Sequence, residues 1–259
     1  MDLNFENKTA MVCGSTQGIG KAAAMELASL GASVVLVARN EDRLKEALAD
    51  LPGEGHSYIC ADFGKQEELK EKIESFVNEG GKAEILVNNT GGPPGGQAVD
   101  ADVQEFRIAF NNHLVCNHIL TTALVPHMKE AGYGRIINVI STSVKVPIKG
   151  LGVSNTIRGA VANWSKTLAN ELGTFGITVN NILPGATSTA RLSSIIENVA
   201  KKNNAPEADI EAHMKKEIPA GRFASAEEVA YAIAFLASPS ASYINGINVP
   251  VDGGRTPSL

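Results

Sequence analysis

Cysteine is scarce. The 259-residue chain has three, Cys13, Cys60 and Cys116. Their number is odd and no two have the spacing of a metal-binding pair. This argues against a disulfide-stapled secreted domain and against a metal site. Free thiols in a reducing cytoplasm are the expectation. No apolar run approaches the roughly 18 residues that span a membrane. The opening Met1-Asp2-Leu3-Asn4-Phe5-Glu6 has neither the cationic start nor the apolar stretch of a secretory leader. Positive charge is not in excess: 23 Lys and Arg against 28 Asp and Glu give a net charge of −5. With no basic patch, nucleic acid is not an expected partner. The chain also lacks Pro/Ser-rich linkers, low-complexity tracts and internal repeats, so 1–259 reads as one domain. A domain of this length buries roughly three-quarters of its unfolded surface and needs no staples.

What the chain does have is alternation. Short apolar runs, read as buried strands, fall at 9–13, 33–38, 58–61, 84–88, 135–140, 177–182 and 247–249. Helical patterns fall between them at 19–30, 41–49, 65–79, 103–129, 154–172 and 226–237, with Asn40 as an N-cap for the second. The polar segment 186–222 departs from this rhythm. Near-continuous apolar strands alternating with helices predict a parallel sheet covered on both faces. Right-handed crossovers then give a Rossmann-like, doubly wound α/β sheet of about seven strands, with ligands at the carboxyl ends of its strands.

The first strand runs into Gly14-Ser15-Thr16-Gln17-Gly18-Ile19-Gly20, directly before the first helix. Glycines there let backbone N–H groups approach a pyrophosphate, and the helix N-terminus favours its negative charge. An acidic residue ending the second strand would bond a ribose 2′-hydroxyl and repel a 2′-phosphate. This chain has Ala38 and then Arg39, whose guanidinium can hold a phosphate through paired bonds. Ser15 offers a further hydroxyl. NADP(H) is therefore expected over NAD(H).

Taken in order, these motifs resemble the short-chain dehydrogenase/reductase family over nearly the whole chain. Gly14 to Gly20 is similar to its T-G-x-x-x-G-x-G loop, with Cys13 in place of threonine. Asp62 is similar to its adenine contact after strand three. Asn88-Asn89-Thr90-Gly91 resembles its N-N-A-G turn. Pro184-Gly185-Ala186-Thr187-Ser188-Thr189 resembles its nicotinamide-contacting P-G-x-x-x-T segment. Val251-Asp252-Gly253-Gly254 resembles its C-terminal strand ending. The resemblance implies a cofactor site of Gly14, Ser15, Thr16, Gln17, Gly18, Ile19, Gly20, Arg39, Asp62, Asn88, Thr90, Gly91, Arg158, Pro184, Gly185, Thr187 and Thr189. It also implies a homotetramer built on the long helices, with Trp164 and Leu168 in that contact or in the core.

The resemblance breaks at the family's catalytic Tyr-x-x-x-Lys pair. Ser141 follows strand five as the family serine does. Counting from it puts Ser154 in the tyrosine slot and Arg158 in the lysine slot. The asparagine slot falls on His113, with Asn112 adjacent. None of Tyr58, Tyr133, Tyr231 and Tyr243 lies where a substitute acid is needed, and Tyr243 reads as a packed structural residue. A serine hydroxyl is a poor proton source at neutral pH, and arginine stays charged. His113, with a reference pKa of about 6.5, is the titrating candidate. Alternatively, Arg158 with Ser141 and Ser154 forms an oxyanion site and water supplies the proton.

The segment 186–222 resembles the family's substrate lid, with Arg191, Lys201, Lys202, His213, Lys215 and Lys216 as options for an anionic substrate. The Ser-Asn-x-x-Arg run resembles a subset of 3-oxoacyl-carrier-protein reductases. The lid and C-terminal third resemble reductases of cyclohexenyl pyruvate-type keto acids. The expectation is NADP(H)-dependent reduction of a keto-acid or 3-oxoacyl carbonyl. A catalytically inactive nucleotide-binding protein and a reductase of a conjugated double bond remain the alternatives.

Overall fold

A computed structural model describes residues 1–258 of the chain. Seven parallel strands lie in the order β3-β2-β1-β4-β5-β6-β7. They are β1 (Thr9–Cys13), β2 (Ser33–Ala38), β3 (Ser57–Cys60), β4 (Ile85–Asn88), β5 (Gly134–Val139), β6 (Ile177–Pro184) and β7 (Asn248–Val251). The winding reverses between β1 and β4, which opens the crevice where such sheets bind ligands.

Strand residues feed two opposite layers by simple alternation. Ala10, Val12, Val34, Leu36, Ile85 and Val87 join a core with Ala23, Ala24 and Leu27 of α1 (Gly18–Ser29). That core also takes Leu44 of α2 (Glu41–Ala49) and Val229, Ala230 and Ile233 of α9 (Ala226–Ala237). Met11, Cys13, Val35, Val37, Leu86, Ile136 and Val179 point the other way. They meet Leu69 and Ile73 of α3 (Gln66–Asn78) and Leu120 and Leu124 of α5 (Cys116–Ala131). Ala169 and Leu172 of α6 (Gly152–Leu172) complete this layer.

The helix expected over 103–129 is divided. α4 (Val103–Phe110) leads into one π-helical turn, Asn111–Val115, before α5. A π turn inserts one extra residue and rotates the helix beyond it, a distortion common at functional sites. The segment 186–222 carries α7 (Ala190–Asn203) and α8 (Glu207–Lys216). Tyr243 does not pack: its side chain is fully exposed. Among the described residues no helix is long and apolar enough to cross a membrane, and no His/Cys/Asp/Glu group has a metal-holding arrangement.

Candidate active site

The loop after β1 is shaped by close backbone approach. Gly14 has φ +60°, and a Cβ there would lie 2.6 Å from the Asn89 carbonyl oxygen. Gly20 is buried in α1, where a Cβ would strike the Gly14 carbonyl and come within 2.7 Å of the Asn89 amide nitrogen. Its role is therefore packing, letting α1 begin against β1. Asn89 Nδ2 donates to the Cys13 carbonyl at 3.2 Å and locks the two strand ends together. Gln17, the N-cap of α1, makes no capping bond, and the first turn holds no acidic residue. By contrast α2, α4 and α9 each have a capping side chain and first-turn acids. The free N–H groups and positive end of α1 suit a pyrophosphate. Thr16, Gly18 and Ile19 are partly open around it, and Gln17 is exposed.

Arg39 is exposed just beyond the end of β2. Asp62 follows β3, half-buried, with Oδ1 accepting from the Gly64 N–H at 2.9 Å. Gly91 is exposed. Pro184 ends β6 beside Val251, and Gly185 sits so tightly on Asp252 that a Cβ would be 2.7 Å from that residue's Cβ. Thr189 places its methyl 3.2 Å from the Cβ position of Gly18, so the base of the 186–222 segment meets the glycine loop.

Three of the expected cofactor residues are enclosed by the protein. Ser15 is completely buried and its hydroxyl has no partner among the described residues. Asn88 is 2% exposed, with Nδ2 donating to Asn138 Oδ1 at 2.9 Å. Asn138 in turn donates to Asn181 (3.1 Å), and Asn181 to Asn248 (2.8 Å). This ladder crosses β4 to β7 and holds the Asn88 side chain between the strands. Thr187 is nearly buried, and its hydroxyl donates to the Gly185 carbonyl at 3.2 Å.

At the reacting end, Arg158 lies on α6 and is only 7% exposed. Nη1 donates to the Val139 carbonyl at 3.2 Å and Nη2 to the Thr90 carbonyl at 3.5 Å, at the ends of β5 and β4. No carboxylate pairs with it among the described residues. Burial, and then the Arg191 cation, push its pKa down to about 10, which leaves it charged at neutral pH. Ser141, half-buried after β5, has Oγ accepting from the Ser143 N–H at 3.1 Å. That leaves its own O–H free to donate. Ser154 is half-buried on the first turn of α6, four residues before Arg158.

The π turn swings His113 inward, to 2% exposure, with Nδ1 2.6 Å from Thr90 Oγ1. Asn112 instead accepts from Gln66 Nε2 at 3.2 Å. Burial first, and then the Arg158 cation, push the His113 pKa down to about 3. The imidazole is neutral near pH 7, which removes the imidazolium acid expected from its reference pKa. Thr90 thus bonds His113 through its hydroxyl and Arg158 through its carbonyl.

Residues 14–256 match the family described as Enoyl-(Acyl carrier protein) reductase. The NADPH-dependent reductase BacG of Bacillus subtilis is 31% identical over 259 residues, covering 98% of this chain and all of BacG. The 3-oxoacyl-[acyl-carrier-protein] reductase FabG of Escherichia coli is 31% identical over 252 residues, covering 97% and 98%. The crystal structure of L-sorbose reductase from Gluconobacter frateurii, complexed with NADPH and L-sorbose, superposes with TM-score 0.93 at 33% identity over the full length of both chains. The chain belongs to the short-chain dehydrogenase/reductase family.

In this short-chain dehydrogenase/reductase the cations of the 186–222 segment do not act alike. Lys201 and Lys215 pair with Glu197 and Glu211 on their own helices, and His213 with Glu217 just past the end of α8. Arg191 reaches across to the 90–96 loop, where Nη2 donates to the Pro93 carbonyl at 3.0 Å. Sequence reasoning missed Asn155, whose amide makes two bonds to the Ile148 backbone (2.9 and 3.3 Å). It ties the loop after Ser141 to the start of α6. The Ser-Asn-x-x-Arg run carried the signal, but the partner lies in an irregular loop.

Proposed function

We propose that the protein reduces a carbonyl compound with NADPH, with Arg158 and Ser141 holding the reacting oxygen in place of the family's Tyr-x-x-x-Lys pair. As a short-chain dehydrogenase/reductase it is an NADP(H)-linked oxidoreductase acting on C=O and CH–OH groups. The NADPH dependence of BacG and the NADPH complex of L-sorbose reductase support the cofactor assignment. The uncapped, acid-free start of α1 suits the pyrophosphate, and Arg39 the 2′-phosphate. When bound, the cofactor supplies the hydride; the protein supplies orientation and electrostatics.

The observation that carries the catalytic reading is Arg158, a buried guanidinium without a carboxylate partner at the ends of β4 and β5. Hydride addition to carbon leaves the C=O electron pair on oxygen. A fixed cation in a water-poor site favours that alkoxide over the neutral carbonyl. Ser141 adds an O–H donor, and Ser154 lies near enough in sequence to Arg158 to add a second. His113 stays neutral and fixes Thr90, and solvent water protonates the alkoxide. In this reading 186–222 is the lid, and the protein is a cytoplasmic homotetramer.

NADPH consumption with a panel of activated ketones tests the reading. Ser141→Ala should lower kcat about 10²-fold, the usual cost of an oxyanion donor. Arg158→Met, which keeps bulk and removes charge, should lower it at least as far while NADPH still binds. An Arg158→Met enzyme with unchanged kcat would remove the arginine from the mechanism. NADPH binding with no turnover of any carbonyl would favour a non-enzymatic nucleotide-binding protein.

A further inference from the structure

Arg158 is not the only cation at this end of the sheet. A Cβ built on Gly92 would lie 3.7 Å from Arg158 Nη2 and 3.4 Å from Arg191 Nη2. The two nitrogens are therefore no farther apart than those distances laid end to end, about 7 Å. Neither arginine has an acidic partner among the described residues. Arg191 sits in the first turn of α7, which carries no acid, so its charge adds to the positive end of the helix dipole. Arg191 is exposed, and its bond to the Pro93 carbonyl orients the guanidinium toward the 90–96 loop. Pro93, whose carbonyl it holds, belongs to a loop pinned to the start of α6 by Gly96 N–H to Gly150 carbonyl (2.8 Å) and Gly152 N–H to Gly96 carbonyl (2.9 Å).

Two like charges and a helix N-terminus aimed at one space repel one another. An anion placed there gains from all three. A carboxylate fits a guanidinium by paired parallel bonds. In a 2-oxo acid the carboxylate is bonded directly to the carbonyl carbon, so the reacting oxygen and the carboxylate lie close enough for one arginine to serve each. A 3-oxoacyl thioester has no carboxylate to place there.

We propose that Arg191 binds the carboxylate of a 2-oxo acid while Arg158 holds its carbonyl oxygen, with the Gly91–Gly92 backbone leaving room between them. This rests on the reductase reading and narrows its substrate to anionic 2-oxo acids. Gly92 is small because a side chain there would occupy the space between the guanidinium groups.

Oxamate, which carries a carboxylate beside an amide carbonyl and is not reduced, is the probe. Calorimetric titration into the NADPH-saturated protein should show binding, with the neutral ethyl oxamate at least tenfold weaker. Arg191→Ala should weaken oxamate at least tenfold and leave NADPH affinity unchanged. Arg191→Lys should recover only part of the loss, because an ammonium cannot make the paired bonds. Equal binding of oxamate and its ester, or no binding of either, overturns the proposal. So does an Arg191→Ala protein that loses NADPH affinity by the same factor, since the arginine then serves the cofactor phosphates. The reductase reading is tested separately by turnover. Neutral ketones reduced without oxamate binding would leave that reading standing and sink this one. Oxamate binding with no carbonyl compound of any kind turned over would sink the reductase reading and, with it, the substrate assignment, leaving only an anion site.

Discussion

Replacing His113 by asparagine should make the protein more resistant to acid, by an amount set by the burial of the imidazole. That ring is neutral in the folded chain, with its pKa pushed down to about 3 by burial and by Arg158. In the unfolded chain it returns to about 6.5. Between those values the unfolded state binds a proton that the folded state refuses. Stability from this group is therefore fully present above about pH 6.5 and is lost as pH falls toward 3. At pH 5 the unfolded state gains roughly RT ln(1 + 10^1.5), about 2 kcal/mol, relative to pH 8. Urea unfolding, monitored through the single tryptophan, Trp164, should show that loss in the wild type. His113→Asn cannot take the proton, so its pH 8 to pH 5 difference should be smaller by about 2 kcal/mol. Whatever the substitution costs in packing appears at both pH values and cancels. The same pH dependence in both proteins, within about 0.5 kcal/mol, would show that His113 titrates normally and would restore it as a candidate acid.

The same geometry sets other outcomes. The rate of reduction should be flat between about pH 6 and pH 8, because neither His113 nor Arg158 changes charge there; a fall centred near 6.5 would point to a histidine acid. Arg39→Ala should weaken NADPH at least tenfold, about 1.4 kcal/mol, and leave NADH unchanged by calorimetry; equal losses for both would remove Arg39 from the 2′-phosphate. Asn138→Ala interrupts the asparagine ladder and strands Asn88 Nδ2 and Asn181 Oδ1, both buried. Two orphaned groups should cost about 2–5 kcal/mol in urea unfolding, and a loss under about 1 kcal/mol would make the ladder incidental. Light scattering at micromolar concentration should give the mass of four chains; a monomer would refute the tetramer.

Much of the fold was legible in the chain because its signals are local. Apolar runs set the strands, and α2 and α9 run over 41–49 and 226–237 as expected, the first with Asn40 as its cap. A buried parallel sheet needs apolar residues on both faces, and that requirement is written along each strand. The glycine loop and Arg39 were equally readable, since their spacing is set by the turn between β1 and α1 and by the end of β2. The missing Tyr-x-x-x-Lys pair was visible by counting alone. What counting did not decide was how its replacements behave. Spacing left His113 and Asn112 one residue apart; the π turn turned the first inward and the second toward Gln66. A reference pKa made His113 a candidate acid, but burial beside Arg158 pushes its pKa down and favours the neutral ring. Burial of Ser15 was not readable from its place in the loop, nor was the pairing of Lys201, His213 and Lys215 with nearby glutamates in the 186–222 segment. Charge and exposure depend on what the chain brings near from a distance. Arg158 and Arg191 are 33 residues apart in sequence and meet only because α6 and the start of α7 converge on the 90–96 loop.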